Sequence, residues 1–248
     1  MSSFTAAIIV IGDEILSGRT HDTNSNYIAK KLIEEGIKLE EVVVIKDDKK
    51  TIIDKVKNYS EKYSYVFTTG GIGPTHDDIT SESISEAFNL KYELNEDAYR
   101  ILNNYYPKGE FNESRQRMAK MPSGSELILN PMTAAPGFKV KNVYVLPGVP
   151  EIMEKMFLEL VKKIKKGNPK LVITIHTNLY ESKIAIFLKD IQYKYKESSI
   201  GSYPYFNLAT KTGGVNIVVS SWKMTSVQPI VDDIVDMIKL NGGKSSIV

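Results

Sequence analysis

The sequence predicts an α/β protein: a three-layer α/β/α domain on a mainly parallel sheet, followed by a small C-terminal α+β domain. Two observations carry this. The first part of the chain alternates short apolar runs with amphipathic segments, the βαβαβα order of a parallel sheet covered by helices on both faces. Beyond residue 168 the order becomes βαββα, with neighbouring strands suited to an antiparallel sheet.

Ala6 to Ile11 is a continuous apolar run rich in β-branched residues, as expected of a strand buried on both faces. Asn24 to Glu35 carries Ile28, Leu32 and Ile33 at helical spacing, with Gly36 placed to end the helix. Leu39 to Ile45 reads as a second strand and Lys49 to Lys62 as a helix with Ile52, Ile53 and Val56 inward. Tyr65 to Thr69 is a third strand, and Thr80 to Phe88 a helix. Asp97 to Tyr105 and Glu113 to Met121 are expected to be helical; Glu126 to Leu129 and Val143 to Leu146 are expected to be strands. Pro150 opens a long helix whose stripe of Ile152, Met153, Met156, Phe157, Leu160, Val161 and Ile164 is core. Lys165-Lys166-Gly167-Asn168-Pro169 is the domain boundary, giving domains 1–168 and 169–248. In the second, Lys170 to His176, Ile200 to Tyr205 and Val215 to Ser221 read as strands, and Glu181 to Tyr195 and Val227 to Leu240 as helices.

Composition narrows the functional classes. With 42% hydrophobic and 25% charged residues the chain can build a proper core. It has no cysteine, which excludes disulfides, thiolate metal sites and cysteine nucleophiles. His21, His76 and His176 are scattered, which argues against a histidine-rich metal site. A net charge of +2 leaves no electrostatic footprint for nucleic acid. Lys162-Lys163-Ile164-Lys165-Lys166 is read as the solvated end of a helix, where cations complement the dipole. No apolar run approaches the roughly 20 residues that span a bilayer, and no signal pattern precedes the first strand, so a cytoplasmic protein without membrane contact is expected.

The strongest chemical signal is the loop after the third strand, Thr69-Gly70-Gly71-Ile72-Gly73-Pro74-Thr75-His76-Asp77-Asp78-Ile79-Thr80. Glycines without side chains let backbone N–H groups approach phosphate oxygens, and the next helix presents its positive end. The spacing fits neither a Walker loop nor the dinucleotide fingerprint. The bland alternative is a tight strand-to-helix turn with Asp78 as its cap. Asp77 and Asp78 shift the balance: two carboxylates beside a phosphate cradle imply either a bridging divalent cation or a base that activates water. Gly12-Asp13-Glu14 sits at the equivalent end of the first strand, and Glu14 has no capping duty there, whereas Asp22 or Thr23 can cap the helix at Asn24. Pro131 to Gly137 and Pro147 to Pro150 are rigid turns that also suit a pocket wall.

These segments together resemble a known family. Ile11 to Gly18 with Asp22-Thr23-Asn24, and the glycine loop with Asp77-Asp78-Ile79-Thr80, are similar to the molybdopterin-binding (MoaB/Mog-like) domain. Pro131 to Phe138 and Leu146 to Pro150 narrow the resemblance to the N-terminal domain of the competence/damage-inducible protein CinA and the related domain of eukaryotic FAD synthases. The resemblance covers residues 5–160 closely and the remainder more loosely. It implies an oligomer, taken as a homodimer, and one of two chemistries. One is a pyrophosphatase dependent on a divalent metal (Mg2+, Mn2+ or Co2+) that acts on ADP-ribose or a related dinucleotide. The other is handling of molybdopterin, a pterin ligand; a non-catalytic nucleotide-binding module stays open beside both. By motif position, Asp78, Glu14 and Asp77 are expected as catalytic and metal-binding carboxylates. Gly12, Asn24, Thr69, Gly70, Gly71, Gly73, Thr75, Thr80, Pro147 and Gly148 are expected to contact the nucleotide. Because the chain ends at Val248, the deamidase domain of full-length CinA proteins is expected to be absent.

Overall fold

Six of the seven residues of β1 (Thr5–Ile11) are buried, so this strand has protein on both sides. Its side chains alternate between two separate cores: Ala7, Ile9 and Ile11 enter one, and Ala6, Ile8 and Val10 the other. The computed structural model describes residues 4–210, 212–223 and 227–248. The chain divides into two units, Met1–Gly167 and Asn168–Val248.

In the first unit β1 is followed by α1 (Asp13–Leu16), α2 (Asn24–Glu34), β2 (Lys38–Ile45), α3 (Lys49–Lys62), β3 (Tyr65–Thr69) and α4 (Thr80–Ala87). Then come β4 (Tyr92–Leu94), α5 (Glu96–Tyr105), α6 (Glu113–Gln116), β5 (Lys120–Pro122), β6 (Glu126–Ile128), β7 (Gly137–Val140), β8 (Val143–Leu146) and α7 (Pro150–Val161). A six-stranded sheet has the order β2-β1-β3-β8-β7-β6. Its first four strands are parallel, while β7 and β6 run antiparallel to their neighbours. Helices α3, α4 and α5 supply the core on one face, through Ile52, Val56, Ile84, Ala98 and Leu102. Helices α2 and α7 supply the other, through Ile28, Leu32, Met153, Phe157 and Leu160. Three layers result.

Local chemistry sets the helix starts. Asp48 accepts the Thr51 N–H at 3.0 Å to cap α3, and Asn95 accepts the Ala98 N–H at 3.0 Å to cap α5. One expectation fails here: residues 113–121 are not one helix. Asn112 caps only a single turn, a 3-10 turn follows over Arg117–Ala119, and the chain then extends. Pro122 disfavours helical backbone at Met121, and β5 pairs with β4. Three short elements, α1, β4 and β7, were not anticipated.

Glu41 on β2 ties down α3: it accepts hydrogen bonds from the Tyr59 and Tyr63 hydroxyls, the latter at 2.7 Å, and from Lys62 at 3.3 Å. The tyrosine hydroxyls, Tyr59 first, hold its carboxyl down to about 2. A carboxyl with a lowered folded pKa contributes stability above its unfolded value of about 4.3 and loses it as pH falls toward the folded value. Melting temperatures between pH 7 and pH 2 are therefore expected to fall less steeply in Glu41→Gln than in the unmodified protein. Parallel curves for the two proteins would remove Glu41 from the acid limb.

The second unit comprises β9 (Leu171–Thr177), α8 (Glu181–Lys194), β10 (Ser198–Asn207), β11 (Thr212–Ser221), α9 (Gln228–Leu240) and β12 (Ser245–Ile247). Its antiparallel sheet has the order β10-β11-β9-β12. The short strand β12, which was not anticipated, completes a βαββαβ split-βαβ arrangement. Ile184 and Leu188 of α8 and Ile230, Ile234 and Ile238 of α9 pack on Ile175, Val215, Ile217 and Val219. Both helices thus cover one face of the sheet. Among the described residues, no helix is long and apolar enough to cross a membrane.

Candidate functional site

The order β2-β1-β3 means the chain leaves β1 toward one side and later returns to its other side. Such a reversal opens a crevice beyond the carboxyl ends of the strands. Val10, Thr69 and Leu146 stand in one row across β1, β3 and β8, so the loops after all three strands emerge together. They enclose a cavity of about 540 Å3, within the size range of nucleotide-sized sites.

The loop after β3 is fixed by its backbone. Gly70 N–H donates to Leu146 O at 3.1 Å, Thr80 N–H to Gly71 O at 3.0 Å, and the Thr80 hydroxyl to Gly70 O at 3.1 Å. Gly70 adopts φ +102°, and a Cβ there would lie 2.1 Å from Ile11 O. No side chain can occupy that seam between the first and third loops. The Ile79 side chain gives α4 no cap, so capping does not explain the carboxylates before it. Asp78 instead accepts the Thr75 N–H at 2.8 Å and the Thr75 hydroxyl at 2.5 Å.

Gly12, Glu14, Gly70, Gly71, Gly73, Asp77, Asp78, Pro147 and Gly148 all line the cavity. Thr75 and Thr80 do not: their hydroxyls are engaged within the loop, where they shape it. Asn24 and Thr69 line a small adjoining chamber of about 50 Å3 that also borders Glu14, Asp22 and Gly148. Asn24 donates its amide N–H to Gly148 O at 2.8 Å, while Asn24 Oδ1 and Thr69 Oγ1 are buried without a partner. Buried oxygens of this kind normally meet a donor, so this chamber suits an N–H or O–H group. Asp22 accepts the Ser25 N–H at 3.1 Å, the capping bond expected at the start of α2.

Two residues of the site went unanticipated. Asp47, two positions beyond β2, lines the cavity and accepts the Asp13 N–H at 3.0 Å. Burial raises its carboxyl above the usual range, and the charges of Asp13, Glu14 and Asp77 raise it further. Asp77 moves the other way: the Thr75 hydroxyl chiefly, then its own backbone N–H, with His76 and Arg117 nearby, lower it. The signal for Asp47 was its place after a parallel strand, the position that singled out Glu14. The second residue is Asn130, which accepts the Met132 and Thr133 N–H groups at 2.9 and 3.1 Å. It also donates to Thr133 Oγ1 and Ala135 O at 2.7 and 2.9 Å. This one amide organises the 130–136 loop, which lines the cavity through Asn130, Thr133, Ala135 and Pro136.

Four carboxylates therefore converge on one cavity beside backbone N–H donors. Among the described residues, no three Asp, Glu or His side chains form a ready-made metal cage. The donor set, all hard oxygen, suits a Mg2+-type ion of the kind held by one or two carboxylates together with ligand phosphates.

Comparisons with known proteins agree with this architecture. Residues 7–166 match the family described as "Probable molybdopterin binding domain", and residues 169–242 match "FAD synthase, middle domain". A CinA-like protein of Thermosipho melanesiensis is 31% identical over 241 residues, covering 94% of this chain and 57% of its own length. A "Probable FAD synthase" of Caenorhabditis elegans is 34% identical over 226 residues, 81% of this chain but only 44% of that protein. The crystal structure of CinA from Thermoplasma acidophilum, of unknown function, superposes with a TM-score of 0.61 at 34% identity, over 64% of this chain and 97% of the other.

Proposed function

Because this chain belongs to the molybdopterin-binding-domain family and is CinA-like, we propose that its cavity binds a dinucleotide diphosphate such as ADP-ribose and hydrolyses it. The observation that carries this reading is the convergence of Glu14, Asp47, Asp77 and Asp78 with the Gly70–Gly73 backbone in one cavity. A purely anion-binding pocket would not gather four carboxylates, since each repels the phosphates. A divalent cation (Mg2+, Mn2+ or Co2+) bound with the diphosphate would offset that repulsion and supply Lewis acidity to the phosphoryl group. Asp78 and Glu14 are the residues to hold it.

The remaining chemistry belongs to the chain. Asp47 and Asp77 are pushed apart in acidity, the arrangement that separates a proton-accepting carboxylate from one that stays charged. Asp47 takes the proton of the attacking water as its oxygen bonds to phosphorus. The bridging phosphorus–oxygen bond breaks, and two phosphomonoesters leave. The N–H groups of Gly70 to Gly73 receive the charge that develops on the phosphoryl oxygens. Asn24 Oδ1 and Thr69 Oγ1 offer acceptors to a ligand hydroxyl or amine at the inner end.

Asp47→Asn tests the assignment. Loss of a general base is expected to slow release of phosphomonoesters from ADP-ribose by about 100-fold or more. The same change is expected to raise the melting temperature by roughly 1–3 °C. A carboxyl whose folded pKa is raised destabilises the fold as pH climbs past its unfolded value, and the amide removes that effect while still accepting the Asp13 N–H. An unchanged hydrolysis rate would take Asp47 out of the reaction. A second reading, a molybdopterin-handling protein, is favoured by the description of the matched family and uses the same cavity. Calorimetry separates the two: pterin binding far tighter than ADP-ribose supports the second.

A further inference from the structure

Thr69 ends β3 one residue before the glycine loop, and Asn24 opens α2. Side chains alternate along β3, so Thr69 shares the α2 and α7 side of the sheet with Tyr65 and Phe67. Both residues line the small inner chamber, and both are more than nine-tenths buried: Asn24 is 6% exposed and Thr69 1%. Among the described residues, neither Asn24 Oδ1 nor Thr69 Oγ1 has a hydrogen-bond partner.

The Asn24 amide has one allowed orientation. Its N–H donates to Gly148 O at 2.8 Å, and a flip would set two oxygens against each other. Oδ1 is therefore a fixed acceptor. Thr69 can accept a hydrogen bond, but its own O–H also needs a partner. A single hydroxyl meets both demands, donating to Asn24 Oδ1 and accepting from Thr69. An ammonium has no lone pair and would leave the Thr69 O–H without an acceptor. Size narrows the choice further. About 50 Å3 holds one or two water-sized groups, so neither a nucleobase nor a pterin ring enters the chamber.

The chamber shares Ile11, Glu14 and Gly148 with the main cavity. Thr69 and Gly70 are chain neighbours, with Cα atoms about 3.8 Å apart. A group in the chamber thus lies next to a phosphate held over Gly70 to Gly73. Resting on the reading of the main cavity as a diphosphate site, we infer that the chamber is a specificity subsite. Asn24 and Thr69 bind a hydroxyl of the alcohol esterified to the diphosphate, and so select sugar or polyol diphosphate esters over those of simple alcohols. A ligand without that hydroxyl is rejected because it leaves two buried polar atoms unpaired.

Calorimetry in Mg2+ with methylene-bridged diphosphates, which resist hydrolysis, tests the subsite independently of turnover. Two ligands are compared: the ADP-ribose analogue, and the same molecule with a methyl ester in place of the terminal ribose. The unmodified chain is expected to bind the first at least about 100-fold more tightly. Thr69→Val is expected to narrow that ratio to below about tenfold. Its melting temperature is expected to hold or rise, because the hydroxyl it removes has no protein partner. Thr69→Ser keeps the hydroxyl and is expected to keep the preference. Equal affinities in the unmodified chain, or a preference that survives Thr69→Val, would overturn the subsite and leave the diphosphate reading standing. Binding of neither ligand would overturn both.

Discussion

Asp78→Asn is expected to lower hydrolysis of ADP-ribose by at least about 100-fold, with the melting temperature within roughly 2 °C of the unmodified protein. The two outcomes separate because the carboxylate has two duties. Its structural duty is to accept the Thr75 N–H and hydroxyl, and the amide oxygen of asparagine can still accept both. On the proposed reading, its chemical duty would be to bring negative charge to a cation bound with the diphosphate, and the amide is neutral. Loss of activity with an intact fold therefore points to charge. If Asp78→Asn hydrolyses ADP-ribose at the full rate with its metal dependence intact, Asp78 has only the structural role and the reaction assigned to this cavity is wrong. Glu14 offers an internal comparison, because it borders both the main cavity and the inner chamber.

Gly70→Ala is expected to be the most damaging single methyl group in the first unit. At φ +102° an alanine is strained, and its Cβ would sit 2.1 Å from Ile11 O, a backbone atom of the central strand that cannot swing aside. Backbone strain and the forced separation of two paired strands together are expected to cost about 3 kcal/mol or more. That corresponds to a fall in melting temperature of roughly 6–12 °C. Gly18→Ala is the control: Gly18 also has a positive φ, +72°, but open space surrounds the added Cβ. It is expected to show the backbone term alone, about 1 kcal/mol. Equal losses for the two variants would mean that contact with Ile11 contributes nothing.

Much of the first unit was legible in the sequence because its central strands are buried on both faces. Such strands leave an uninterrupted apolar run, as at Ala6 to Ile11, that no amphipathic helix produces. The glycine loop was legible because positive φ and close backbone approach restrict the choice of residue. What stayed hidden depends on partners. Lys46-Asp47-Asp48-Lys49 reads as a solvated charged turn, and Asp47 gains its meaning only once β2 lies beside β1. The polar segment Ser245–Ile247 carries no strand pattern and is a strand only because β9 offers it an edge. Glu113 to Met121 has helical composition, yet pairing with β4 claims its last residues. Thr80 shows the limit from the other side: its hydroxyl lies under the loop and is occupied by Gly70 O.

The three loops at the cavity floor are tied to one another by main-chain contacts and one side-chain amide. Gly70 N–H holds Leu146 O, Asn24 holds Gly148 O, and Gly148 packs against Gly70. None of these loops can shift alone. Among the described residues the 130–136 segment has no such ties: a single amide, Asn130, organises most of it. The cavity thus combines a cast floor with an interchangeable wall. Ligand preference in such a design can drift, or be engineered, by replacing seven residues of wall while the glycine-loop floor stays untouched.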